Sequence, residues 1–114
     1  MTHERRAAEI RGKTIRLTWT EGPTKGTTHE HVFHQDGTVE WHSIDEPRKE
    51  PVKERPEYAA MKVADGIYAV SYLAASGYTL TVVLNFHDCR MVGFASGAKV
   101  WYPVQGTFEV SPKS

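Results

Sequence analysis

Residues 58–85 read YAAMKVADGIYAVSYLAASGYTLTVVLN, and this segment decides the fold class. Runs rich in β-branched, aromatic and aliphatic residues are separated by Asp65-Gly66 and Ser76-Gly77, which are typical of tight turns. The pattern predicts three strands, over residues 58–64, 67–74 and 78–85. Successive strands joined by such short turns form an antiparallel meander.

Strands are also predicted on both sides of this meander. From Lys13 onward, polar and apolar side chains alternate as a half-buried strand requires, and turns follow at residues 21–26 and at Asp36-Gly37. Further strands are predicted over residues 27–35, 38–43, 89–95 and 100–110. Eight evenly spaced strands without a predicted helix favour an all-β, mostly antiparallel up-and-down barrel over a sandwich. A barrel of about eight strands can hold one small ligand.

The barrel domain is predicted over residues 12–110, between a polar N-terminal tail at residues 1–11 and a C-terminal tail at residues 111–114. Residues 44–56, IDEPRKEPVKERP, combine three prolines with dense charge. Proline cannot donate to a strand ladder, so this segment is predicted to be a surface loop. One interpretation is that its charges are solvated. The alternative is that one arginine, Arg48 or Arg55, folds over the mouth of the barrel and binds a carboxylate.

Composition excludes several classes of function. Fourteen basic and fourteen acidic residues cancel, so no basic excess favours nucleic acid as a partner. The single cysteine, Cys89, excludes an internal disulfide framework and a thiolate metal cluster within one chain. Neither a signal peptide nor an apolar run long enough for a membrane span is present, so we expect a soluble, cytoplasmic protein without a membrane partner.

Histidines are concentrated in residues 28–42, THEHVFHQDGTVEWH. His29, His31 and Phe33 share one face of a strand, because side chains alternate. The two histidines could bind a metal ion, line the polar part of a ligand cavity or lie on the surface. Position 35 is Gln and Asp36 lies in a turn, so no carboxylate follows His31 at ligand spacing. We therefore expect less than stoichiometric metal, and no cofactor is assigned.

Aromatic residues recur at alternating positions on several predicted strands, and they either fill the core or wall a pocket. Gly93 and Ala95 share the face of Met91, and such small residues would leave free volume inside the barrel. This favours a pocket. The predicted ligand-binding residues are Trp19, His29, His31, Trp41, Tyr68, Tyr72 and Arg55.

No catalytic motif is evident in the sequence. Cys89 lies between Asp88 and Arg90, and nothing identifies a base that would activate its thiol. Gly93, Gly97 and Gly106 are too scattered for a phosphate-binding loop. No catalytic residue is therefore assigned.

Four segments between Ile10 and about Phe94 carry a family resemblance: IRGKTIRLTW, DGTVEW, ADGIYAVSY and LNFHDCRMVG. In this order they resemble the calycin-like (lipocalin-like) barrel shared by bacterial phenolic acid decarboxylases and MoaF-related proteins. The resemblance implies an eight-stranded barrel, and it implies a homodimer because that family packs in pairs.

The decarboxylase residues do not carry over onto this chain. Leu17 and Trp19 stand where the enzymes have two tyrosines that hold the substrate carboxylate. Ala74 stands where they have an acidic residue, and an inward tyrosine of the family falls on His29. The resemblance is therefore closer to the MoaF-related branch, which implies a barrel with no well-defined activity.

Two functions follow from these observations. The first is a MoaF-like barrel that binds a small apolar or aromatic ligand and lacks the catalytic residues of the decarboxylases. The second is a lyase or isomerase for a small organic acid in which a histidine, which titrates near neutral pH, acts as general acid or base.

Overall fold

The computed structural model describes residues 9–44, 55–74 and 76–111, and within these ranges all regular structure is β. Alternation of apolar and polar side chains produces eight strands: β1 Thr14–Glu21, β2 Thr28–Phe33, β3 Val39–Ser43, β4 Tyr58–Ala64, β5 Ile67–Leu73, β6 Thr79–Asn85, β7 Arg90–Ser96 and β8 Trp101–Val110. Within the described residues there is no helix long and apolar enough to cross a membrane.

The strands form one sheet in the order β3-β2-β1-β8-β7-β6-β5-β4, and every neighbouring pair is antiparallel. Consecutive strands are neighbours within β1–β3 and within β4–β8. The pairing of β1 with β8, in which Ile15 lies opposite Val110, joins the two groups. The predicted all-β, eight-stranded antiparallel barrel is confirmed.

The two edge strands of the sheet meet at a short seam, which curls the sheet into a barrel. Thr38, before β3, forms an isolated antiparallel bridge with Glu57, before β4. Beside it, the Val39 amide donates to the Pro56 carbonyl at 2.9 Å, and the Tyr58 amide donates to the Gly37 carbonyl at 3.1 Å. Of the loop predicted over residues 44–56, residues 45–54, with Arg48, lie outside the described residues.

The core consists of the inward side chains of these strands. Along β1, Ile15, Leu17 and Trp19 are buried, whereas Arg16 is exposed. Ile10 is also fully buried, and its carbonyl accepts a hydrogen bond from the Lys13 amide at 3.1 Å. The segment predicted as a tail at residues 1–11 therefore contributes a core residue, because its one isoleucine is apolar enough to enter the barrel.

Gly93 has a different role from the one predicted. A Cβ atom at this position would overlap the backbone carbonyl oxygen of Thr81 on the neighbouring strand. Gly93 therefore permits a close approach of β6 and β7 and does not serve to leave volume in the interior. Ala95, the other small residue of β7, does line the internal cavity.

Candidate ligand-binding cavity

A cavity of about 290 Å³ lies inside the barrel. This volume is at the lower end of the range for small-molecule sites, which is about 300–1,000 Å³. Most of its walls are aromatic or aliphatic, and none of its lining residues is Lys, Arg, Asp or Glu. They are Trp19, Pro23, Thr24, His29, His31, Trp41, Tyr72, Ala74, Ser76, Tyr78, Leu80, Ala95, Tyr102 and Val104.

A buried hydrogen bond joins two of these walls. The His31 Nε2 atom on β2 lies 2.8 Å from the Tyr72 hydroxyl on β5. His31 is 1% exposed, and its ring lies nearly parallel to those of Phe33 and Trp41, at centroid distances of 6.0 and 6.2 Å. The pair is polar, buried and enclosed by aromatic rings.

Burial keeps both members of this pair uncharged. Loss of solvation is the largest cause and the nearby His29 ring the second, and together with smaller effects they lower the pKa of His31 to about 3. Burial raises the pKa of the Tyr72 hydroxyl above its ordinary value. At neutral pH the cavity therefore contains a neutral imidazole hydrogen-bonded to a neutral phenol.

The second nitrogen of His31 has no such partner. Nδ1 is buried and forms no hydrogen bond of standard geometry with the described residues. The backbone of His29 is near the ring, and this contact opposes burial by raising the pKa of His31. Only an acceptor can stabilise the protonated ring in this way, so the backbone group involved is the His29 carbonyl.

His29 is oriented by Trp19. The Trp19 indole Nε1 donates to His29 Nδ1 at 3.0 Å, and an indole N–H can only donate. A neutral His29 therefore carries its proton on Nε2, which lies 3.4 Å from the Thr27 hydroxyl. That hydroxyl donates in turn to the Thr24 carbonyl at 2.7 Å. The ring of Trp41 packs on His29 at 4.7 Å.

Comparison with known proteins places the chain in a family. A family model described as the MoaF N-terminal domain matches residues 4–100. The chain belongs to the MoaF family. The resemblance to MoaF-related proteins that the sequence motifs indicated is thereby confirmed.

A solved structure shares the fold of this MoaF-family chain. It is a crystal structure from Burkholderia vietnamiensis, provisionally described as a beta-lactamase, with a TM-score of 0.72 and 20% sequence identity. The alignment covers 94% of this chain and 99% of that chain. At this identity the similarity shows the fold alone. The search of curated proteins gave no match.

The structure brings five of the seven predicted site residues together. Trp19, His29, His31, Trp41 and Tyr72 all line the cavity. Tyr68 is buried on the same face of β5 as Tyr72, but four residues span about 13 Å along a strand. Tyr68 instead packs edge-to-face on Phe86 at 5.5 Å.

Arg55 also lies apart from the residues that line the cavity. It meets carboxylates at the seam, where its Nη2 atom lies 3.3 Å from Asp36 Oδ2 and its Nη1 atom lies 3.7 Å from Glu40 Oε1. Its Nη1 atom is also 3.1 Å from His34 Nε2. Arg55 therefore joins the β2–β3 turn to the segment before β4.

The residues at one end of the cavity were not predicted from the sequence. Pro23 and Thr24 lie in the turn after β1. Tyr78 follows the turn after β5, and Tyr102 lies near the start of β8, just after the turn that follows β7. In an antiparallel barrel β1, β5 and β7 run in one direction, so the turns after them lie at one end. The shared direction of these strands, together with the tyrosines beside two of the turns, could have indicated this end of the cavity from the sequence.

Metal ligands are not assembled here. In residues 9–44, 55–74 and 76–111, no group of three or more His, Cys, Asp or Glu side chains is arranged to hold a metal ion. Cys89 is an exposed free cysteine in the turn between β6 and β7, with a positive φ of 58°.

Proposed function

We propose that this MoaF-family barrel binds one small, uncharged, apolar or aromatic molecule in its internal cavity. The observation that carries this proposal is an aromatic-lined cavity of about 290 Å³ that holds a neutral His31 and whose lining residues include no Lys, Arg, Asp or Glu. A charged ligand would lose its hydration there without gaining a counter-ion, which is costly. A flat apolar ligand would gain contact with the rings.

Acid–base catalysis has weaker support in the same cavity. With a pKa of about 3, His31 is not in the imidazolium form that acts as a general acid at neutral pH, and it is a weak base. Trp19 and Ala74 line the cavity at the positions where the decarboxylases have a tyrosine and an acidic residue. The lyase or isomerase hypothesis would therefore need a proton-transfer group other than His31.

Binding can be tested by titrating the protein with 4-methylphenol, naphthalene and 4-methylbenzoate at pH 7 while following tryptophan fluorescence and heat. We expect saturable binding of the two neutral probes and no binding of the carboxylate. His31→Phe should keep the fold and change the affinity for 4-methylphenol by about 2- to 10-fold, the effect of one net hydrogen bond.

Two variants serve as controls for this titration. Arg55→Gln and Tyr68→Phe alter residues outside the cavity, so both should bind the probes like the parent protein. Superimposable titrations of the parent and His31→Phe would contradict the assignment of His31 to the binding site. Loss of absorbance from coumaric acid in the presence of the unmodified protein would instead favour a lyase.

A further inference from the structure

One row of side chains around the cavity contains a gap. The strand register places Tyr72 of β5, Leu80 of β6, Ala95 of β7 and Tyr102 of β8 side by side, and all four line the cavity. Three of these side chains are large, whereas Ala95 contributes only a methyl group. The row therefore leaves free space in front of Ala95.

Trp41 lies on the other side of this space. β3 and β7 are four places apart in the order of eight strands, so they lie on opposite sides of the barrel. Trp41 of β3 lines the same cavity, and its ring packs on His29 of the neighbouring strand at 4.7 Å. The cavity therefore extends across the barrel from the Trp41 indole to the Ala95 methyl group.

The volume of the cavity indicates how many rings its ligand has. An apolar protein cavity of about 150 Å³ binds one benzene molecule. This cavity, at about 290 Å³, has almost twice that volume. A single ring would leave part of the wall without contacts, and unfilled apolar volume loses dispersion attraction. A second fused ring would restore those contacts.

We propose that the ligand of this cavity contains two or more fused aromatic rings, and that one of these rings lies between Trp41 and Ala95. Ala95 is then the residue that determines ligand size, because a larger side chain at this position would occupy the space of the second ring. Ala74 also lines the cavity, but it follows the end of β5, beside the turn at one end of the barrel. This inference rests on the proposed binding function and names the class of its ligand.

The test compares 4-methylphenol, which has one ring, with 2-naphthol, which has two fused rings. Both are neutral at pH 7. We expect the parent protein to bind 2-naphthol about tenfold more tightly, because the second ring buries additional apolar surface. In Ala95→Leu the added isopropyl group takes the place of that ring. The variant should lose at least about tenfold in affinity for 2-naphthol and keep its affinity for 4-methylphenol within about twofold.

Ala59→Leu is the matched control. It is the same substitution on the outward face of β4, between the buried residues Tyr58 and Ala60, and it should keep the preference of the parent protein for 2-naphthol. Thermal unfolding of the two variants shows that each is folded.

A second measurement needs no variant. Nuclear Overhauser effects should connect the ring protons of bound 2-naphthol to the Ala95 methyl group and to the Trp41 indole, but not to the Ala59 methyl group. Bound 2-naphthol without a contact to Ala95 would overturn the proposal, whether or not Ala95→Leu folds.

The outcomes separate this inference from the proposed function. Equal or weaker binding of 2-naphthol by the parent protein, or a preference for it that persists in folded Ala95→Leu, would overturn the ligand class and leave a binding cavity in place. Failure of both probes and of naphthalene to bind would overturn both.

Discussion

A single imidazole links the interior of this barrel to the pH of the solvent. His31 is the one polar side chain among the fully buried residues of the described chain. In the unfolded chain its ring is hydrated and has the ordinary pKa of 6.5, whereas burial in the folded barrel lowers the pKa to about 3. Between these two values the unfolded state binds a proton that the folded state does not.

Stability should therefore fall on acidification. As the pH decreases from 6.5 towards 3, this one group reduces the free energy of unfolding by about 1.4 kcal/mol per pH unit, and above 6.5 its contribution is constant. Urea unfolding of the parent and of His31→Phe at pH 7, 6 and 5 measures the effect. In His31→Phe, the pH dependence of the free energy of unfolding should lack the part that corresponds to binding of one proton.

The matched control is His87→Gln, in an exposed turn, which should retain the slope of the parent. Parallel pH profiles for the parent and His31→Phe would show that His31 is hydrated in the folded protein, and the buried position would be wrong.

At the scale of the strands, glycine sets how closely two neighbours approach. A Cβ atom at Gly93 of β7 would overlap the Thr81 carbonyl on β6, and one at Gly106 of β8 would overlap the Thr18 carbonyl on β1. In both cases the obstacle is backbone, which cannot rotate away as a side chain can. The neighbouring strands are therefore too close at these two points for any residue with a Cβ atom.

Gly93→Ala should destabilise the barrel by at least about 3 kcal/mol, at or above the upper end for overpacking, because the methyl group can be accommodated only if strands separate. Chemical denaturation gives the value. Val63→Thr, an exposed change of similar shape on β4, should stay within about 0.5 kcal/mol. A mild effect at Gly93 would mean that β6 and β7 are more loosely paired.

The strands and the site differed in how far they could be predicted. Alternation along β1 and the Asp-Gly turns were sufficient for the strands, because both are local signals. The His31–Tyr72 hydrogen bond joins residues 41 positions apart, and only strand order brings them together. The same limit applies to Tyr68. Its alternation with neighbouring residues predicts that it faces inward, but it does not show at which level along the barrel axis the side chain lies. The role of Gly93 depends on the distance between strands, which sequence alone does not give.

On the scale of the whole molecule, the outer face of the barrel is divided by polarity. Near β7 and β8 it exposes Phe94 and Trp101, which are 51% and 65% exposed and pack edge-to-face at 5.8 Å. The outward side of β1 and β2 instead carries the Arg16–Glu30 ion pair. The outer face of β5–β8 is apolar or uncharged at Leu73, Thr81, Val83, Val92, Phe94, Trp101, Pro103 and Gln105.

We propose that a second copy of the chain covers this face, as the family resemblance also implies. Arg90 and Glu109 lie at the ends of the same outward faces, but the eight positions between them carry no formal charge. Two copies can therefore meet about a twofold axis through these eight positions without placing like charges together, and monomers rarely expose large apolar patches. Sedimentation of the parent protein at tens of micromolar should give a dimer. Phe94→Lys should give a folded monomer, because each dimer would bury two unpaired ammonium groups.

Thr14→Lys, on β1 and outside this face, is the control and should sediment like the parent. A monomeric parent protein, or a Phe94→Lys variant that remains dimeric, would exclude this face as the interface.

The position of β8 between β1 and β7 determines when the barrel can form during synthesis. Until residues 101–110 have left the ribosome, β1 and β7 have no common neighbour, and the sheets β3-β2-β1 and β7-β6-β5-β4 can be joined only through the short seam between β3 and β4. Each has an open edge, at β1 and at β7, that can pair with another chain. β8, the last of these eight strands to be translated, covers both edges at once, so the interval in which these edges are open to aggregation ends only after its translation.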